Sequence, residues 1–444
     1  MPAACFRFVE QTYNEKKEEH VKKSLVAVIA ALGVCCMAVQ GAEAKTLEDI
    51  LKEKGVITEA DYKEVTKSTP ISYKLGKGFT FTSADEKFQL SVGGLMQVRY
   101  SFFDNDITND VSQFNLAKGR LIFSGYAFSK DLTYMLQFGL EQSGNNKMLE
   151  NAFLKYRFID EVQLTGGQTK LVYSRDNMSS VGNLQFVAVS PTTSAFSPGY
   201  DLGAVVGGKV LGNLINYDLS VSNGAGQTSV RPGNGAQNNM AFLAHLQINP
   251  LGAFGYAEGD PQFSEKPLFT VGGSYYMNTL KKTAAATFET NNNGYAGTSG
   301  WLGRNAAVFN AIEQVEIDSF VVDTAFKWMG AFAQAEYFWG QGTGDMTNAH
   351  VNAQGFYAQA GYTVIPKRLE LAMRYSYLDP NRNLTNNLQT EVIGAVSYYF
   401  SNHSLKLQGD IGNIHKSGAT TDPLTGQRKS TDDMQFRMQA TVAF

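Results

Sequence analysis

Met434-Gln435-Phe436-Arg437-Met438-Gln439-Ala440-Thr441-Val442-Ala443-Phe444 ends the chain. Met434, Phe436, Met438, Ala440, Val442 and Phe444 share one parity; Gln435, Arg437, Gln439, Thr441 and Ala443 share the other. Successive side chains of a strand point to opposite faces, so this segment meets an apolar medium on one side and water on the other. A strand of about ten residues ending on an aromatic fits the last strand of a transmembrane barrel, whose lipid and lumen faces alternate. A half-buried strand of a soluble sandwich would read the same in isolation.

Repetition of the pattern upstream separates the two. Leu405, Leu407, Gly409 and Ile411 alternate with Lys406, Gln408 and Asp410; Leu371, Met373, Tyr375 and Tyr377 alternate with Glu370, Arg374 and Ser376. Tyr134, Leu136, Phe138 and Leu140 do the same against Met135, Gln137 and Glu141. Over the whole chain the alternation marks sixteen candidate strands: 88–103, 114–128, 132–141, 149–158, 162–168, 202–210, 214–222, 240–249, 268–277, 320–328, 331–340, 355–364, 368–378, 389–400, 404–412 and 433–444. The gaps between them alternate long and short, as expected of tight turns at one end of a barrel and long loops at the other. One short-turn position breaks the rule: 250–267 is long and contains Pro250 and Pro261. The pattern offers no reason for it.

The fold class is therefore all-β: a 16-stranded antiparallel transmembrane β-barrel over 75–444. Beyond residue 44 no stretch approaches the roughly 18 uninterrupted apolar residues of a membrane helix. In lipid every backbone amide must bond internally, and a closed sheet does this while half of its side chains face water. With only 18% charged and 12% aromatic residues, the chain is too apolar for disorder. A net charge of −3 gives no basic footprint for nucleic acid. Roughly sixteen strands enclose a water-filled lumen rather than a side-chain core.

Residues 1–44 read as a secretory signal: Lys22 and Lys23, an apolar run from Leu25 to Val39, and Ala42-Glu43-Ala44 before the cut. The charged residues before Val21 do not suit such a segment, so translation is expected to start at Val21. All three cysteines (Cys5, Cys35, Cys36) precede the cut, and the mature chain is expected to hold no disulfide, thiolate site or covalent haem. Residues 45–74 form a short N-terminal periplasmic segment in which Thr46 and Thr58 can cap helices, with Gly55 as a stop.

Several stretches resemble the phosphate-selective porin O and P family over essentially all of 75–444: Leu90–Arg99, Lys118–Gly125, Gly167-Gln168-Thr169-Lys170 and Pro198-Gly199-Tyr200-Asp201-Leu202-Gly203. The resemblance implies a trimeric outer-membrane porin whose third long loop, 169–201, folds into the lumen as a constriction. Leu171-Val172 stands where the family often has Pro, and Tyr200 where it usually has Arg. The arginine ladder and lysine ring credited with phosphate selection are not evident. The pore is carried over, and the phosphate is not.

By parity the lumen receives Arg99, Lys118, Arg120, Lys155, Arg157, Lys327, Arg374, Lys406 and Arg437, against Glu141, Asp218, Asp323, Glu336, Glu370, Glu391 and Asp410. Arg99, Lys118, Arg120, Lys155 and Arg157 sit on neighbouring strands, and the loop adds Lys170 and Arg175. Such a basic wall biases a pore toward small anions. Alternatively these cations pair with Glu141 or loop carboxylates and only keep the wall hydrated. The five histidines show no metal-ligand spacing, so no cofactor and no enzyme activity is expected. The other reading is a barrel that sheathes a periplasmic electron-transfer partner. The expected partners are then the outer-membrane bilayer, two further copies of the chain and small hydrophilic solutes.

Overall fold

In the computed structural model the chain divides into two compact units, 1–69 and 70–444. The structure describes residues 54–56, 58, 71–141, 148–227, 239–283, 287–289, 294–421 and 428–444. The signal segment and nearly all of the helical segment expected before residue 71 lie outside them. Of the first unit, Gly55 turns the chain with φ of +67°, in the left-handed region that glycine enters without cost.

The second unit is a closed sheet. A hairpin of β1 (Ile71–Lys74) and β2 (Gly78–Thr82) comes first, so 71–74 is strand rather than part of a helical segment. There follow β3 (Phe88–Asp104), β4 (Val111–Ala127), β5 (Ser129–Gly139), β6 (Leu149–Ile159), β7 (Val162–Lys170), β8 (Tyr200–Val210), β9 (Ile215–Ser222), β10 (Ala241–Ile248) and β11 (Leu268–Lys281). The remainder are β12 (Gln314–Trp328), β13 (Ala331–Gly344), β14 (His350–Ile365), β15 (Leu369–Asp379), β16 (Gln389–Ser401), β17 (Leu405–Thr421) and β18 (Arg428–Ala443). Each of β3 to β18 pairs antiparallel with the next, and β18 returns to β3 from Met434↔Asp104 to Ala443↔Leu95. These sixteen strands form the barrel. The hairpin prolongs the edge of β3 beyond the chain end, through Phe79↔Val92 to Thr82↔Gln89.

Strands on the long-loop side outrun the alternation. β12 begins at Gln314 and β17 continues to Thr421, against expected limits of 320 and 412. Past the lipid the outer face no longer needs to be apolar, so pairing continues while the two-residue signal fades. Within the band Met96, Val98, Leu219, Phe242, Leu246, Leu371, Met373, Val392 and Val396 are all exposed on the outside. No soluble surface tolerates a continuous belt of this kind, and hydrocarbon requires it.

The buried apolar core lies inside the barrel. Between β7 and β8 the chain turns inward through α1 (Arg175–Met178) and α2 (Pro191–Phe196). Ser174 caps the first by accepting from Asn177 N at 3.2 Å, and Ser190 caps the second by accepting from Thr193 N at 2.9 Å, ahead of Pro191 at the first helical position. The long loop between β11 and β12 also folds in. Its Trp301 stacks on Phe196 with ring centres 6.1 Å apart, and Phe196 stacks on Phe338 of β13 at 5.3 Å. Wall glycines make the room: a Cβ on Gly340 would stand 2.8 Å from Trp301, and one on Gly355 would stand 2.6 Å from Thr192.

Candidate functional site

The inward loop lies on one side of the lumen only. Arg99 donates to Val187 O at 3.0 Å, Arg374 to Ala188 O at 2.9 Å and Lys406 to Leu184 O at 2.7 Å. Gln97 reaches Val181 O at 2.9 Å, and Thr192 reaches Tyr377 O at 3.0 Å. These anchors spread over β3, β15 and β17, and the lumenal side chains of β12 to β18 are correspondingly buried. The inner faces of β4 to β9 are covered only in part: Gln137, Glu150, Gln168, Asp201 and Ser220 are buried, whereas Lys118, Ile122, Ser124, Phe153, Lys155, Thr165, Val205 and Asp218 are half-buried. The passage runs along this sector.

The long turn 250–267 also belongs to the interior. It folds up from the short-turn end and meets the loop, Glu258 N donating to Asn183 O at 3.0 Å and the Glu258 carboxylate accepting from Gln185 N at 2.8 Å. Arg175 donates to Gly255 O at 3.0 Å and Lys327 to Ala257 O. Asp260 holds the base of the turn by accepting from Ser264 N and Gly330 N, each at 2.9 Å. The length that the alternation left unexplained is thus the length needed to reach the constriction loop. Its signal in sequence was a turn carrying Glu258 and Asp260 where neighbouring turns have two or three residues. Loops and turn together occupy part of the lumen.

The basic residues separate into distinct environments. Lys118 pairs with Glu141 at 2.6 Å, and Arg120 with Glu150 at 2.8 Å. Glu150 was not recognised from the sequence because a bulge beside it shifts the parity of β6. Glu141 lies past the end of β5, and Lys118 draws its carboxyl below the usual range against the opposing effect of burial. Arg157 lies exposed at the rim, 2.7 Å from Asp131 and 3.2 Å from Asp160. Lys170 donates to Asn177 O at 2.6 Å and stands 5.4 Å from the Tyr200 ring centre. Arg175, expected with the pore-lining set, is instead buried behind the loop. It is held 3.0 Å from Asp323 and 5.0 Å from the Phe254 ring, because α1 turns it toward the wall rather than the passage. Lys155 alone of the seven has neither an ion pair nor a side-chain hydrogen bond among the described residues. Two cavities lie against the open sector. One of about 620 Å³ touches Lys77, Gln89, Ser91, Ser124 and Asn183. The other, of about 340 Å³, touches Lys155 and the inserted turn.

A closed sixteen-stranded barrel with a lipid-facing belt, a half-filled lumen and an inward loop after its fifth strand is the geometry of a porin. The family model of phosphate-selective porin O and P matches residues 90–442. The chain belongs to this family. It is an outer-membrane porin, a diffusion channel of the bacterial outer membrane. Among solved structures it is similar to the anion-selective porin from Comamonas acidovorans, at 9% identity and a TM-score of 0.53, over 79% of this chain and 99% of that one. It is also similar to the outer-membrane channel DcaP of Acinetobacter baumannii, at 14% identity and a TM-score of 0.51, over 83% and 100% of the two chains. The outer-membrane OmpT of Vibrio cholerae follows at 12% identity and a TM-score of 0.51, over 82% and 100%. At these identities the likeness concerns the fold. No curated protein matches the sequence.

Proposed function

We propose that this porin passes small hydrophilic solutes down their gradients with a bias toward anions, working as a homotrimer and without a catalytic step. The supporting observation is Lys155, a half-buried ammonium on the partly covered wall with no ion-pair partner among the described residues. A charge held in a narrow, partly dehydrated passage acts on permeating ions far more strongly than one in bulk water. Lys118 and Arg120 contribute less, because Glu141 and Glu150 neutralise them locally. Trimeric assembly is the property that the family resemblance implies. Reversal potentials across a salt gradient test the bias. Anion preference should be largest at low salt and should fall on Lys155→Glu, since screening shortens the reach of a fixed charge. Cation preference in the unaltered protein would refute the proposal.

A further inference from the structure

The cavity of about 340 Å³ lies on the short-turn side, between the wall of β6 to β9 and the inserted turn, within the size range of small-molecule sites of about 300–1,000 Å³. Lys155, Lys209, Asn216 and Asp218 line it from the wall, and Phe254 and Tyr256 line it from the turn. Six other lumenal cations, Lys118, Arg120, Arg157, Arg175, Arg374 and Arg437, each hold a carboxylate within 3.2 Å. Among the described residues Lys155, Lys209 and Asp218 are in no ion pair. Lys155 nevertheless feels the charges of both Asp218 and Lys209, so the three stand within electrostatic reach of one another. The local chain is shaped for this. Gly207 faces Asp218 across the β8–β9 pairing, and a Cβ at Gly207 would collide with the Asp218 carboxylate, which lies over β8 toward Lys155. Asn216 Oδ1 is buried without a hydrogen-bond partner.

Lys155 and Asp218, half-buried charges of opposite sign without direct partners, are costly unless something else satisfies them, and Lys209 stands exposed beside them. We infer that this cavity is a subsite for zwitterions of the free amino acid class: Lys155 and Lys209 receive the carboxylate, Asp218 the ammonium group, and Tyr256 with Phe254 the side chain. A simple anion would satisfy the two lysines and leave Asp218 opposed to it. A simple cation would face two lysines. A zwitterion with an apolar side chain matches the charged and the aromatic elements of the lining together. The inference rests on the reading of the chain as an open diffusion channel and narrows what that channel retains.

The test is current through the purified porin in planar bilayers at neutral pH. Leucine is titrated against 4-methylpentanoate, which lacks the ammonium group, and isoamylamine, which lacks the carboxylate. Leucine should reduce the current in a saturable way, with half-saturation about ten-fold below that of either analogue, the worth of one charge-assisted hydrogen bond. Asp218→Asn should remove the advantage of leucine over 4-methylpentanoate, whereas Lys155→Gln should weaken both. Equal action of leucine and 4-methylpentanoate, or an unchanged advantage in Asp218→Asn, overturns the subsite. Conductance in potassium chloride alone reads the channel separately: its absence would refute the porin reading, and its presence with no leucine advantage would refute only the subsite. Retention of the heat-sensitive folded band in gels confirms that each variant barrel is intact.

Discussion

The carboxylate of Glu258 accepts the backbone N–H of Gln185 at 2.8 Å, joining a turn from the short-turn end to a loop that follows the fifth barrel strand. Gln359 donates to the same carboxylate at 3.0 Å from the wall, and Gln185 reaches Glu370 at 2.7 Å. Constriction loop, turn and barrel wall therefore share one buried polar junction.

That junction should respond to pH. Burial, and then the neighbouring Asp176, push the Glu258 carboxyl from an ordinary 4.5 up to about 8. Lys327 and Lys406 also act on it from the wall. The docked form binds the proton more tightly than the released one, so the contribution to docking is complete below about 4.5 and is lost as pH rises through about 8. Single-channel recordings should show a quiet channel at pH 6 and increasing conductance fluctuations between pH 7 and 9. Glu258→Gln, which keeps an acceptor without a charge, should flatten that dependence.

Phe338 carries the loop packing. Its ring lies 5.3 Å from Phe196 and 6.4 Å from Tyr173, and it is fully buried. Phe338→Ala leaves a cavity beneath the loop and should cost about 3–5 kcal/mol of loop docking. A noisier, wider channel with little change in barrel melting is the expected result. A conductance identical to that of the unaltered protein would show that the loop is held by its polar anchors alone.

Arg120 and Glu150 form a pair whose side chains are only 8% and 9% exposed. Arg120→Ala leaves Glu150 as a buried, uncompensated charge and should cost roughly 3–5 kcal/mol, while Arg120→Ala with Glu150→Ala should cost much less. Selectivity should move toward cations in the single variant and return in the double. Detergent unfolding and reversal potentials measured on the same samples check both.

Phe444 seals the barrel. Its carbonyl accepts from Gly94 N at 2.7 Å and its N–H donates to Gly94 O at 3.0 Å. Deleting it removes both bonds, worth roughly 1–3 kcal/mol together. The folded band on gels should then disappear at a lower temperature, with no change in ion selectivity.

Much of this molecule is written in a period of two. The belt residues Met373 and Val396, the lumenal Arg374 and Asp410, and the tight turns such as Ile365-Pro366-Lys367 are each set by whether a side chain faces lipid, water or solvent at a strand end. Those choices are local, and parity along one strand reports them. The β1–β2 hairpin escaped because its strands are four and five residues long, too short for a period to show. Glu150 escaped because a bulge moves a residue between faces without a mark in composition.

The sequence by itself determined the closed barrel, the two-sided wall and the set of charges placed in the lumen, because each follows from the alternation of neighbours in a medium that forbids unpaired amides. Only the tertiary structure decided which of those charges meet the passage. Arg175 and Arg374 are spent on Asp323 and Glu391, Arg99 and Lys406 on loop carbonyls, and Lys155 is left facing the cavity. That division depends on where a loop and a turn come to rest against strands 70 to 222 residues away, and such contacts leave no period to read.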